Sequence, residues 1–470
     1  MDASERTERP IAALLAPDIL ALLDEDPSSI AVETEEVHPA DLADVVETLP
    51  AERIPDLLSA LPAARAADVM EYLDEGVRAE ALEAMSAREA ATIVREMSPD
   101  DRADVLEEIQ ESHADEILAE IPADERLATE QLLAYDPETA GGLMTTEFVS
   151  VQESTTVEDA LLQVRAAARS GRREAMFAVY STDSQGKLRG VISLRSLLAA
   201  PEGTPISENA WSEVVMVSVD ARPAEIARVT SEYDLVAVPV VDGNGVLVGV
   251  ITVDDVIDVI QEEQTEDVQK LGGMEALDEP YMQISLAEIF RKRVVWLCVL
   301  FLGALITTNV IEHFESALTQ VQFLALFIPL IISSGGNTGS QATSLIIRAM
   351  ALGEVTLRDW WRVARRELAV GVALGVVLGV LGFLRVALWQ QAGWYDYGGA
   401  YLLSGLTIGL ALVGVVTFGS LAGSMLPFVL RRLGLDPASA SAPFVATLVD
   451  VTGLMIYFGV AVLVLRDLLG

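Results

Sequence analysis

Cysteine, histidine and lysine are nearly absent from this 470-residue chain: one Cys, at 298, three His, at 38, 113 and 313, and three Lys, at 187, 270 and 292. A single cysteine in an apolar run excludes an internal disulfide and a thiolate metal site, and the scattered histidines have no ligand spacing. A P-loop is missing, so a nucleotide would act as regulator and not as fuel. No nucleophile and base pair or catalytic metal motif occurs, and an enzyme is not expected. The opening MDASERTERP is polar and leads into no apolar core of export length, so no signal peptide is expected.

Acid is what the chain has in excess. Its formal net charge is −40, and the first 290 residues hold 62 acidic against 19 basic side chains, leaving 9 and 12 for the rest. Such a front part repels nucleic acid and anionic lipid and attracts cations, which makes a divalent metal a natural partner. An acidic surface suited to a high-salt cell accounts for part of the same excess.

Apolar runs of spanning length occur near Val294–Ile311, Val321–Met350, Leu368–Trp389, Tyr401–Leu426 and Pro443–Leu465. Arg291, Lys292 and Arg293 precede the first. Arg348, Arg358, Arg362, Arg365 and Arg366 lie between the second and third, and Arg431 and Arg432 between the fourth and fifth. The odd-numbered loops have no Lys or Arg, so the positive-inside rule puts the front part in the cytoplasm and the C-terminus outside, Arg466 alone breaking the pattern. Trp389, Trp394, Tyr395 and Tyr397 cluster at one outer interface, as an aromatic belt would.

Asp450 stands inside the last of these runs, in VATLVDVTGL. A carboxylate at mid-bilayer costs roughly 2.5–3.5 kcal/mol on insertion scales and usually faces an ion path or a water-filled cavity. The other reading is an acid that only holds helices together. The second run carries SSGGNTGSQATS, whose small and hydroxyl residues suit either close helix packing or, through Asn337, Thr338, Ser340 and Gln341, contact with a hydrated ion. Gly371, Gly375, Gly379 and Gly382 recur at helical spacing, as a packing face.

From His38 to Ala134 a short amphipathic pattern repeats at about twelve-residue spacing (DLADVVETLP, RIPDLLSALP, RAADVMEYLD and onward), which predicts stacked helix pairs with an acidic outer face. Asp100 and Asp104, four apart in SPDDRADVLEE, project from one helix face and suit a shared divalent ion or a solvated face. Past Gly141 and Gly142 two similar strand–turn–strand–helix segments follow, REAMFAVYSTDSQGKLRGVISLRSLL and YDLVAVPVVDGNGVLVGVITVDDVIDVI. They resemble a tandem pair of CBS domains over about 144–260. That resemblance implies a possible adenine-nucleotide site at Thr252 and Asp255; Ser193 and Ser196 hold the matching positions of the first half, so the Asp is missing there. Next comes an acidic helix-forming stretch in which Asp255, Asp258, Glu262, Glu263, Glu266 and Asp267 fall on neighbouring turns. Their mutual repulsion would displace the helix, and bound divalent cations would relieve it.

With GGNTGSQ and PFVATLVDVTGL in the spans, the whole resembles the MgtE family of magnesium channels. The resemblance implies a multidomain fold: an all-α helical-repeat domain (1–140), α/β tandem CBS domains (141–260), an acidic connecting helix (261–290) and an all-α five-helix transmembrane domain (291–470). It implies a homodimer in a cell membrane, surrounded by lipid, with a pore between subunits; Asp450 and the Ala446 backbone bind metal there, with Asn337 a possible lining residue. It further implies regulatory Mg2+ ligands at Asp100, Asp104, Asp234, Asp255, Asp258, Glu263, Glu266, Asp267 and Asp436, with ATP a possible regulator. Passive, self-limited Mg2+ uptake is the expectation; the alternative is a Na+- or H+-coupled divalent cation exchanger.

Overall fold

The computed structural model describes residues 10–169, 177–277, 281–282, 284–315, 319 and 321–466. The polar opening 1–9 and residues 173–176, which head the first strand–turn–strand segment, lie outside the described residues. The chain divides into two compact units, Met1–Gln261 and Glu262–Gly470.

The first unit begins as a stack of short helices. After Pro10–Glu25 come Pro39–Thr48, Ile54–Ala60, Ala63–Met70, Glu75–Ala84, Ala87–Val94, Pro99–Glu108, Glu111–Glu120 and Ala123–Leu132. Each is about two to three turns long, and several open on a capping signal. Ser86 forms a capping box with Glu89, Ser98 accepts from the Asp101 amide, and proline opens Pro39–Thr48 and Pro99–Glu108. From Pro39 to Leu132 each helix packs on the next but one, giving two staggered rows. The rows enclose one apolar core that runs from Ala12 to Ile121, so no helix has to bury its own face alone. A half-buried Arg78–Glu108 ion pair ties Glu75–Ala84 to Pro99–Glu108. Arg102 donates to the carbonyls of Val94, Arg95 and Met97 at 2.9–3.0 Å, fixing the helix that carries Asp100 against the end of its neighbour.

Two three-stranded sheets follow, built alike. In the first, β1 (Val149–Gln152) runs parallel to β2 (Ala178–Thr182), which pairs antiparallel with β3 (Leu188–Ser193). In the second, β4 (Val217–Ser218), β5 (Ala237–Val241) and β6 (Leu247–Thr252) repeat this order. Even the register shift recurs, at Ser181/Thr182 and at Val240/Val241. The two hairpin turns pair with each other, Leu188 N donating to Gly245 O and Leu247 N to Gly186 O. After β6 the connecting helix Val253–Leu271 starts.

The second unit holds five helices long and apolar enough to cross a membrane. They are Leu286–His313, Phe323–Ala351, Trp360–Gln391, Tyr401–Arg432 and Ala442–Val464. The first, third and fourth outrun the apolar run that announced them, continuing into the Arg- and Lys-bearing flanks. The small residues do the work of approach. A methyl group at Gly379 would meet the Gly409 carbonyl oxygen at 2.7 Å, and one at Gly375 would meet the Val413 Cα at 2.8 Å, so the third and fourth spans touch backbone to backbone. Between the second and fourth spans, Thr343 donates its hydroxyl to the carbonyls of Gly339 and Gly423, both at 2.9 Å. The buried Tyr457 hydroxyl of the fifth span bonds the Leu324 carbonyl of the second. The first span packs chiefly on the fifth, and the rest of its apolar surface, Leu297, Phe301 and Leu305 included, is exposed.

Candidate cation path and regulatory acids

The segment GGNTGSQ lies along the fifth span. A methyl group at Gly335 would collide with Val449, one at Gly336 would touch Ala446, and one at Gly339 would collide with Val445; Ser340 donates to the Ala442 carbonyl at 3.3 Å. Close packing and polar exposure therefore coexist here. The glycines face inward, while Asn337 is exposed and spends one amide hydrogen on Ser333 Oγ at 3.3 Å. Beside it, Ala446 is half-buried, and one turn along the same helix Asp450 is half-buried too.

Asp450 makes no hydrogen bond or ion pair among the described residues. Glu367, at the start of the third apolar run, is different: Ser420 donates to its Oε2 at 2.7 Å. A carboxylate satisfied by a neighbouring hydroxyl is glue, whereas an unpartnered one on a span packed against the small and polar GGNTGSQ segment is free to meet an ion. At the far end of the third span, Arg385 stacks over the Trp389 ring at 3.6 Å and donates to the Tyr397 hydroxyl at 2.9 Å, so that cation is held within the aromatic cluster.

In the first unit, acids distant in sequence converge. Asp100 is 7% exposed, and its Oδ1 is buried without a hydrogen-bond partner. Burial, reinforced by the charges of Asp101 and Asp255, holds its pKa well above the ordinary range. Asp255, at the start of the connecting helix, is pushed up to about 7 by burial and by Asp254 and Asp101, against the pull of the Thr252 hydroxyl. Asp104 opens to solvent, yet the protein around it and the charge of Asp101 lift it to about 7 as well, with Arg78 opposing. Asp101 thus acts on both Asp100 and Asp104, with Asp255 a further neighbour of Asp100 and Arg78 of Asp104. Sequence reasoning missed Asp101 and Asp254; only their adjacency to Asp100 and Asp255 hinted at them. Asp258, further along the helix, is exposed, and its pKa is raised by partial burial and by Asp254.

Thr252 is buried, and its Oγ1 donates to Asp255 Oδ2 at 2.6 Å, so the two cap the connecting helix together. Ser193 and Ser196 make the same cap with a hydroxyl in place of the carboxylate, 2.8 Å apart. Asp234 stands apart from these acids: exposed, it ends the helix Pro223–Tyr233 with φ of 51°. Among the described residues it is the one non-glycine residue with positive φ.

In the second unit, Glu263, Glu266 and Asp267 of the connecting helix meet Asp436 of the loop between the fourth and fifth spans. Burial comes first in raising Glu263 and Asp267; Glu266, Asp267 and Asp436 add to it at Glu263, and Asp436 and Glu266 at Asp267. Lys270 lies among them, its Nζ 2.6 Å from Glu266 and 2.7 Å from Asp436. Leu271 seats the helix end on Ile347, Leu426, Leu430, Ala438 and Ala440.

No three His, Cys, Asp or Glu side chains converge as a ready metal cluster among the described residues. Magnesium suits such sparse sites, because it keeps several waters and takes one or two carboxylates. The unpartnered Asp100 Oδ1 fits that chemistry: a buried hard oxygen with an open lone pair.

The chain matches three family models: "MgtE intracellular N domain" over residues 37–138, "CBS domain" over 140–203 and 210–262, and MgtE, "Divalent cation transporter", over 328–460. It is 44% identical over 341 residues to the magnesium transporter MgtE of Thermus thermophilus and 34% identical over 344 residues to that of Enterococcus faecalis, covering 73% of each pair. A crystal structure of the cytosolic domain of the Mg2+ channel MgtE in complex with ATP matches 52% of this chain and 99% of its own, at 36% identity and a TM-score of 0.49.

Proposed function

The chain belongs to the MgtE family of divalent cation transporters, and on that premise we propose that it is a magnesium-selective channel for passive uptake, closed by cytoplasmic Mg2+. The observation that carries this reading is Asp450: a carboxylate on a membrane-length helix, unpartnered among the described residues, one turn from Ala446, against which Gly336 of the GGNTGSQ segment packs. In the proposed pore these groups of two subunits hold a largely hydrated ion. A homodimer in the cell membrane supplies the second set, and the exposed flank of the first span is surface for it or for lipid.

Orientation follows the Arg-bearing loops, with the N-terminal domains in the cytoplasm and the C-terminus outside. One charge crossing 100 mV gains about 2.3 kcal/mol, so a divalent ion gains roughly 4.6 on moving into a negative cell, without ATP. The division of labour follows 1–140, 141–260, 261–290 and 291–470. Closure is assigned to Mg2+ shared between Asp100, Asp104, Asp255 and Asp258, with Asp234 as a further CBS ligand, and between Glu263, Glu266, Asp267 and Asp436 at the cytoplasmic end of the spans. Each ion shifts the gate by its difference in affinity for the closed and open states, so several weak sites make the response steep. ATP is assigned to Thr252 and Asp255, as a regulator.

The test is inside-out patch recording with Mg2+ as charge carrier. Unitary currents that shut as cytoplasmic Mg2+ rises into the millimolar range, and vanish in Asp450→Ala, support the channel. Saturable flux in vesicles that needs a Na+ or H+ gradient, without unitary currents, replaces it with the exchanger.

A further inference from the structure

Lys270 is the single lysine of the connecting helix, and its ammonium is shared between Glu266, one turn earlier, and Asp436, 166 residues away in the loop between the fourth and fifth spans. Asp436 is itself fixed, since its Oδ1 accepts from the Ala438 amide at 2.8 Å. The segment around Lys270 is docked: Leu271 is packed on the loop and span ends, and Gly273, with φ of 78°, turns the chain against Ser441 and Pro443, where a side chain would be crowded. Burial works against the ammonium, but the bonds to Asp436 and Glu266 outweigh it and keep it charged.

We propose that Lys270 is a resident cationic latch, which holds the end of the connecting helix on the loop between the fourth and fifth spans without metal and competes with a divalent ion for Glu266 and Asp436. This rests on the reading of those two acids as regulatory ligands. An ammonium and a divalent ion cannot both sit between the same two carboxylates, because like charges at such distances repel strongly. Binding of the ion therefore displaces the lysine. The structure provides room for it: a cavity of about 550 Å3 adjoins the ammonium, lined by Glu266, Lys270, Glu275, Lys292, Trp296 and Ser439. Glu275 offers the displaced ammonium a new partner there. The lysine thus raises the Mg2+ concentration needed for closure while keeping the helix end in place when the ion leaves.

The experiment is hydrogen–deuterium exchange of peptides covering 262–277 in the full-length protein in nanodiscs, titrated with Mg2+, for wild type, Lys270→Gln, Lys270→Arg and Asp436→Asn. Lys270→Gln is expected to speed exchange in chelator and to lower the Mg2+ midpoint for protection roughly two- to fivefold, the range for a partly exposed ion pair. Lys270→Arg, which keeps the charge, is expected to stay at wild-type protection in chelator. A lysine with a merely structural role would raise the midpoint instead. An unchanged or raised midpoint in Lys270→Gln, with Mg2+ protection intact in wild type and lost in Asp436→Asn, overturns the latch and leaves the ligand reading standing. Protection unaffected by Asp436→Asn overturns the ligand reading, and the latch with it.

Discussion

In residues 10–261 carboxylates are everywhere, and most stand on the solvated faces of short helices, whereas beyond residue 291 there are nine, of which eight fall on described residues, each in a definable place. The first region treats acid as a field: a surface that concentrates cations, with a few members drawn inside where helix Pro99–Glu108 meets the start of the connecting helix. The second treats acid as a set of points. Glu367 is satisfied by Ser420, Asp436 is bonded to Lys270, and Asp450 is left open. A buried or membrane-embedded charge must be paired or used, so abundance says little about where ions bind and partnership says much.

Removing the open point should have the largest effect. Asp450→Ala is expected to reduce Mg2+ flux into proteoliposomes by 100-fold or more while leaving the melting temperature within a few degrees of wild type, since no bond is lost. Glu367→Ala should do the reverse: near-normal flux, and a lower melting temperature by an amount in line with about 1.5–3 kcal/mol for one hydrogen bond to a carboxylate. If both variants lose flux equally, the distinction between glue and path fails.

Packing comes next. Gly423 sits against the Gly339 carbonyl with no space for a side chain, so Gly423→Val should cost about 1–3 kcal/mol by overpacking, seen as earlier unfolding in detergent.

The acidic region is probed through pH. Asp104 and Asp255, near 7 against an ordinary 3.8, are raised by burial. Their contribution to metal-free stability is fully present below about pH 4 and is lost as the pH rises through about 7, where a divalent ion restores it. The Mg2+-induced rise in melting temperature should therefore be larger at pH 8 than at pH 6, and the Mg2+ midpoint several-fold lower. Asp100→Asn should raise the metal-free melting temperature at pH 8, because a buried acid whose ionisation is costly is replaced by an amide that cannot ionise, and shrink the Mg2+ increment. The smallest effect is expected from Thr252→Ala, which removes half of a helix cap, about 0.5–2 kcal/mol, without altering Mg2+ flux into proteoliposomes.

Much of this architecture was legible from local pattern. Five apolar runs, two strand–turn–strand segments and a twelve-residue amphipathic repeat each state their element, because period and hydropathy depend on near neighbours along the chain. Asp450 was legible for the same reason: nine apolar or small neighbours make one acid conspicuous. The glycines at 371, 375, 379 and 382 announced a close crossing. Tertiary structure alone decided which carboxylates meet. The approach of Asp100 to Asp255 joins residues some 150 positions apart, and the bridge from Lys270 to Asp436 joins residues 166 apart. Periodicity carries no record of such pairs, since in a front part with 62 acids any two look alike until packing removes water from a few. The sequence by itself determined the elements, their order along the chain and the acid in the last span; the stacking of helices in two rows and the seating of the connecting helix decided which charges lose their solvent, because only packing removes water from them.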